Sequence, residues 1–388
     1  MDRKLTKKKT NLKTQCVHAG ELIDKVNGGS ISPLYMATSY KFNDVIENQY
    51  PRYFNTPNQK ALADKIAALE NAETAIIFSS GMAAISTSLL SNLRSGDHVI
   101  LQNDLYGGTR NFIKKEFPKF GIEFSFTCGN SSKDFENEIR KNTKVIYIET
   151  PSNPALKIID LESISDLAKS SNAITIIDNT FASPVNQNPI EFGIDIVVHS
   201  ATKYLGGHSD ISAGAIVSSE GMIRNIFASA KNFGGNLSDY TVWLLERSIK
   251  TLYLRVKEQN KNALKIANFL ENEIWIDKVY YPGLASHPNH ELAKKQMKGF
   301  GGMLSFDLSP KIDCKKFLLG LELIKPTMSL AGIETTALSP RLTSHSLLTN
   351  KERFEQGIND QMVRLSAGIE DYEDLKDDII QSIKKQTE

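Results

Sequence analysis

Between residue 59 and about residue 235, short continuous runs rich in β-branched residues alternate with tracts of helical spacing, and this alternation limits the fold more than any other feature. The runs Val145-Ile146-Tyr147-Ile148, Ile174-Thr175-Ile176-Ile177 and Ile196-Val197-Val198 lack the in–out pattern of a half-exposed strand. A strand that is apolar on both sides suits the centre of a parallel sheet with helices packed on each face. The tracts between them, such as Ile158 to Ser170, supply those covering layers. The expected fold class is α/β, with a mostly parallel sheet flanked by helices.

Around this centre the chain divides into three parts. Residues 1–58 read as an irregular N-terminal arm, and residues 59–237 as the α/β unit, opened by a helix at Lys60–Glu70. Residues 238–388 read as a linking helical tract, roughly Ser238 to Asn272, followed by a smaller α+β lobe that closes over the pocket and contains the strand-like run Gly302–Leu308. A chain of 388 residues can bury the cores that two such units need. Its net charge of +1 points to neither nucleic acid nor acidic membranes. No apolar run approaches the roughly 18 residues of a membrane-spanning helix. The lysine-rich stretch Met1–Lys13 lacks the apolar core of a secretion signal and reads as a solvated tail or an arm reaching a sister subunit. Cys16, Cys128 and Cys314 are odd in number and scattered, which fits a reducing compartment, the cytoplasm, better than a disulfide framework. His287 and His290 flank Pro288-Asn289, so a loop is expected there rather than a metal site.

Three segments carry chemistry. In His199-Ser200-Ala201-Thr202-Lys203-Tyr204-Leu205-Gly206-Gly207, a lysine follows an apolar run and is braced by two hydroxyls. Desolvation lowers the pKa of such an amine and makes it a nucleophile toward carbonyls, although the segment alone fits a surface lysine beside a glycine turn equally well. Asp178 ends the apolar run 25 positions upstream; alone it reads as a cap or turn acid. Ligands of open α/β sheets gather at the carboxyl ends of strands, so Asp178 and Lys203 are expected to face one pocket. Pyridoxal 5'-phosphate (PLP) asks for such a pair, a lysine for its aldehyde and a carboxylate for its pyridine nitrogen. In the third segment the strand Thr74–Phe78 leads through Ser79-Ser80-Gly81-Met82 into a helix, whose N-terminus suits a phosphate. Tyr106, in Leu105-Tyr106-Gly107-Gly108-Thr109, fits either a ring laid over the cofactor or a turn tyrosine packed on the core.

With Glu149-Thr150-Pro151-Ser152-Asn153-Pro154 and Val363-Arg364-Leu365-Ser366-Ala367-Gly368-Ile369-Glu370-Asp371 added, the order of motifs resembles that of the PLP-dependent transsulfuration enzymes of cysteine and methionine metabolism, from about Tyr50 to Asp371. The resemblance implies the PLP-dependent transferase fold (fold type I). It implies Lys203 as the Schiff-base lysine and proton shuttle and Asp178 on the pyridine nitrogen. Gly81, Met82, Ser200 and Thr202 would hold the phosphate, Tyr106 would stack on the ring and share the acid–base work, and Asn153 would meet the 3′ oxygen. Tyr50 and Arg52 would reach the phosphate of a neighbouring subunit, so that the active sites are shared in a homo-oligomer, a homotetramer. Ser329 and Arg364 would grip the substrate's α-carboxylate, a task that suits the planar fork of arginine. Arg110 and Glu334 are further substrate-binding candidates. Arg364 also lies in an apolar strand-like run, which calls for a buried partner or an anionic ligand.

The implied reaction is elimination or replacement at the γ carbon of homoserine-derived amino acids, as cystathionine γ-lyases and γ-synthases perform it. Candidate substrates are cystathionine, an O-acylhomoserine, cysteine and methionine. Methionine γ-lyase and cystathionine β-lyase activities are the alternatives within the family. An aminotransferase or a catalytically silent binding subunit would be the readings from other classes. Departures from the family pattern cluster at Gln49, where many members carry an acid, at Pro51–Pro57, and at Gly108, where methionine γ-lyases usually carry cysteine.

Overall fold

The computed structural model describes residues 10–343, 346 and 349–387. The part of the lysine-rich terminus before Thr10 lies outside them. Seven strands form the first sheet: β1 (Thr74–Phe78), β2 (His98–Leu101), β3 (Glu123–Phe126), β4 (Thr143–Glu149), β5 (Ile174–Asp178), β6 (Ile196–His199) and β7 (Gly214–Ser218). Their spatial order is β1-β7-β6-β5-β4-β2-β3. The pairs β3–β2, β2–β4, β4–β5 and β5–β6 are parallel, while β7 runs against both β6 and β1. β1 therefore points the same way as β6, and the carboxyl ends of β1, β2, β4, β5 and β6 share one edge. Alternate residues feed two cores: Ile146, Ile148, Ile177 and Val197 enter one, and Val145, Tyr147, Ile176 and Val198 the other. This two-sided burial is what the uninterrupted apolar runs require.

Local signals place the helices that matter for the site. The arm contains α1 (Leu12–His18), a short helix within a segment otherwise irregular up to Tyr50. α2 (Pro57–Leu69) starts three residues before the expected Lys60, because Thr56 and Gln59 form a capping box and Pro57 takes the first helical position. α3 (Gly81–Asn92) is capped by Ser80, whose side chain accepts from the Ala83 N–H. α4 (Gly107–Glu116) follows β2. The helix expected from Ile158 begins at Leu161, with Asp160 accepting from the Ser163 N–H.

The linking tract expected at Ser238–Asn272 is two helices, Asp239–Ile249 and Leu252–Glu271. No glycine or proline marks the break. At the break the Ser248 carbonyl, which in a continuous helix accepts the Leu252 N–H, takes the Thr251 N–H (3.3 Å), the Thr251 hydroxyl (3.2 Å) and the Arg255 guanidinium (Nη2, 3.0 Å). Beyond it, β8 (Ile276–Tyr280), β9 (Met303–Leu308), β10 (Thr336–Leu338) and β11 (Met362–Ser366) form an antiparallel sheet in the order β10-β11-β9-β8. Among the described residues no helix is long and apolar enough to cross a membrane.

Candidate active site

The strand ends of the first sheet converge on a cavity of about 460 Å³. Its lining takes Ser80, Gly81 and Met82 from the β1–α3 turn, and Tyr106 from the segment after β2. Glu149 and Asn153 come from the end of β4, Asp178 from β5, and Ser200, Thr202 and Lys203 from the segment after β6. The second sheet contributes Arg364 from β11 and Leu338 from β10, while Met328, Ser329 and Leu330 arrive on the loop before β10. Asp178 and Lys203 thus meet from neighbouring strands, as their positions at the ends of apolar runs implied.

Lys203 donates from Nζ to Ser329 Oγ at 2.7 Å. Burial, and secondarily the Arg364 guanidinium, lower its pKa to about 8. Asp178 is buried, and its Oδ1 accepts from the Thr180 N–H at 3.0 Å. Burial raises the pKa of this carboxyl, while the Thr180 hydrogen bonds and His199 work the other way. Arg364 is buried and donates to Asn153 Oδ1 (3.0 Å) and to the Ser329 carbonyl (3.1 Å). Burial lowers its pKa to about 10. Among the described residues neither Asp178 nor Arg364 has an oppositely charged partner within ion-pairing distance. A buried acid and a buried cation left open in one cavity are costly unless ligand groups complete them.

Residues around them hold these groups in place. Thr180 Oγ1 accepts from the Ser200 N–H at 2.8 Å, tying the ends of β5 and β6. Thr202 exchanges hydrogen bonds with Ala213. Arg255 donates to the carbonyls of Tyr204 (2.9 Å) and Leu205 (3.4 Å), fixing the turn that follows Lys203. Ser329 has φ of +77° and Ala331 +62°, a left-handed backbone that residues with a Cβ adopt at a cost and that clusters at functional sites.

The residues present fit PLP. A Cβ on Gly81 would lie 2.7 Å from Ser200 Cβ, so glycine is needed for α3 to start against Ser200. The first N–H groups of α3 have no intrahelical partner and start against Ser200, whose hydroxyl joins them as a donor set suited to a phosphate; Thr202 also lines the cavity, with its hydroxyl engaged by Ala213. Asp178 is placed to receive a cationic ring nitrogen, and Lys203 offers an amine for an aldehyde.

Four expected site residues do not line this cavity. Tyr50 is half-exposed, and Arg52 donates to the Lys231 carbonyl (2.7 Å) while lying over the Tyr50 and Tyr53 rings. Arg110, expected at the substrate, donates to Asn103 O and Oδ1 and stacks on Phe126 at 4.1 Å. It also lies 3.8 Å from the Glu352 carboxylate and is absent from the lining. Glu334 sits 3.5 Å from Lys325 and is likewise absent from the lining. Conversely, Glu149, Thr180, Phe181, Met328, Leu330 and Leu338 line the cavity without having been singled out as site residues. Glu149 carried the same signal as Asp178, an acid closing an apolar run; the others have no local signature.

Residues 13–384 match the profile of the Cys/Met metabolism PLP-dependent enzymes. A cystathionine β-lyase of Lactococcus lactis is 43% identical over 380 residues, covering 97% of this chain and 100% of that protein. A cystathionine γ-lyase of Bacillus subtilis is also 43% identical, covering 96% of this chain and 99% of that protein. The crystal structure of cystathionine γ-lyase from Lactobacillus plantarum complexed with L-serine superposes with a TM-score of 0.94 at 37% identity, covering 97% of this chain and 100% of that one.

Proposed function

The chain belongs to the Cys/Met metabolism PLP-dependent enzymes, and from that premise we propose that it cleaves or exchanges a C–S or C–O bond at the γ carbon of a homoserine-derived amino acid, as a cystathionine γ-lyase or γ-synthase. Cystathionine β-lyase activity is the second reading, since relatives of equal similarity bear β- and γ-lyase names. Methionine γ-lyase activity is the further alternative within the family.

The observation that carries the proposal is the meeting of two lobes at Ser329. Its hydroxyl accepts the Lys203 amine and its carbonyl accepts the Arg364 guanidinium. A carboxylate held by Arg364 therefore brings the adjoining α carbon beside the Lys203 amine. PLP, when bound, supplies an electron sink for charge developing at that carbon. Asp178 would hold its ring nitrogen; Gly81, Met82, Ser200 and Thr202 its phosphate; Tyr106 its face; Asn153 its 3′ oxygen. The Lys203 amine, partly neutral near pH 8, takes the α proton and returns protons at neighbouring carbons. The Tyr106 hydroxyl assists at the leaving group.

The unit holding the cofactor is residues 59–237, closed by 238–388. The working assembly is a homotetramer, with Tyr50 and Arg52 serving a neighbouring subunit's phosphate. Their placement outside their own cavity, and the exposed apolar side chains of the arm (Val26, Phe42, Ile46), support this.

Product analysis by mass spectrometry after incubation with cystathionine, with methionine, and with an O-acylhomoserine plus cysteine tests the proposal. Cysteine, 2-oxobutyrate and ammonia from cystathionine mark γ-lysis, and cystathionine from the third mixture marks γ-synthesis. Homocysteine and pyruvate from cystathionine would replace the proposal with β-lysis. Half-transamination without release of thiol or ammonia would replace it with an aminotransferase.

A further inference from the structure

Glu149 lies in the cavity without a task in the scheme above. It ends β4 directly beside Asp178, on the same face of the sheet, and is buried. Its backbone is fixed from both sides by one side chain: its N–H donates to Gln102 Oε1 (2.6 Å), and its carbonyl accepts from Gln102 Nε2 (2.9 Å). Gln102 thereby extends the β2–β4 pairing one step beyond the strands, so the Glu149 carboxyl has a rigid base. Glu149 Oε2 accepts the N–H of Tyr106 at 3.0 Å. Tyr106 is the residue before α4, and its own side chain makes no cap. Its N–H belongs to the donors that a helix start leaves open, and Glu149 closes it from another strand. The ring above is seated by absence: a Cβ on Gly108 would come within 2.5 Å of the Tyr106 ring.

We propose that Glu149 is a positioning residue, whose carboxyl sets the height of Tyr106 over the cavity and, through it, the reach of the phenol. The inference rests on the reading of Tyr106 given under the proposed function. Burial, and then the neighbouring Asp178, push the pKa of the Glu149 carboxyl up, while its bond from the Tyr106 N–H works the other way. An amide oxygen can accept that N–H; a thioether of similar size cannot.

The test uses the PLP-loaded enzyme and the variants E149M, E149Q, Y106F and both double variants. A displaced proton-transfer group costs on the order of 100-fold, so E149M is expected to lose about 100-fold in kcat with KM within a few-fold of wild type. E149Q is expected to recover the rate to within about threefold. Because the effect runs through the phenol, Y106F/E149M should be no more than about twofold slower than Y106F alone. Independent, multiplicative losses in the double variant overturn the proposal, as does wild-type kcat in E149M. Should E149M fail to fold, a loss of more than tenfold in E149Q overturns it, and Y106F/E149Q matching Y106F supports it. If wild-type protein neither binds PLP nor turns over substrate, the function reading fails instead, and the two failures are told apart.

Discussion

Replacing Arg364 by leucine separates substrate grip from cofactor loading. The guanidinium is buried, held by Asn153 Oδ1 and the Ser329 carbonyl, and has no carboxylate partner within ion-pairing distance among the described residues. Two charge-assisted hydrogen bonds to a substrate carboxylate contribute about 1.5–3 kcal/mol each. Their loss removes roughly 3–6 kcal/mol, or about 150- to 25,000-fold in kcat/KM. Because the carboxylate is held throughout the reaction, most of the loss should appear in KM. Lysine at 364 keeps the charge but not the fork, and should recover only part of the affinity. A second readout comes from Lys203, whose amine is depressed to about 8 first by burial and then by Arg364. Removing the guanidinium lifts that second influence, so the pKa of the amine should rise. PLP capture by apoenzyme needs the neutral amine, and its pH dependence should therefore move to more alkaline pH. Steady-state kinetics on the loaded variant and stopped-flow capture across pH 6–10 measure the two effects. An unchanged KM, or a capture curve that stays in place or moves toward acid, refutes the assignment of Arg364.

Other outcomes follow from the same geometry. Lys203→Ala should abolish turnover and the absorbance near ~420 nm expected of a lysine-bound cofactor; borohydride reduction and peptide mapping of the wild type should place the label on Lys203. In wild-type apoenzyme, capture should quicken as pH rises through about 8 and level off above it, because the neutral amine is the reactive form; a rate falling across that range contradicts the assignment. Gly81→Val should weaken PLP affinity by at least about tenfold, since its side chain must displace Ser200; equilibrium dialysis measures it, and unchanged affinity would remove Gly81 from the cradle. Arg52→Ala should leave circular dichroism unchanged while loosening PLP retention in the oligomer, and full retention on dialysis would exclude the contact with a neighbouring subunit.

Much of the fold was legible because burial on both faces leaves a plain record. β4, β5 and β6 stand where continuous β-branched runs stand, and Asp178 and Lys203 were visible because a charge at the end of such a run is expensive to desolvate without purpose. Glu149 carried the same mark. The reversed direction of β7 left no comparable record, since an apolar run reads alike in either orientation. Nor did the break between Ile249 and Leu252, where the Ser248 carbonyl is shared by Thr251 and an arginine of the next helix. Arg110 and Glu334 were substrate candidates from the family resemblance, yet they meet Asn103, Phe126 and Lys325 and are absent from the cavity lining.

By itself, then, the chain's order of residues determined a two-sided sheet with a lysine and an acid at adjoining strand ends, since local period and desolvation cost are properties of short segments. Arg364 and Ser329 were expected at the substrate only through the family resemblance, and the tertiary structure is what brings them, from the far lobe, into the pocket. That meeting depends on loop paths and on the packing of two sheets, and no short segment encodes it.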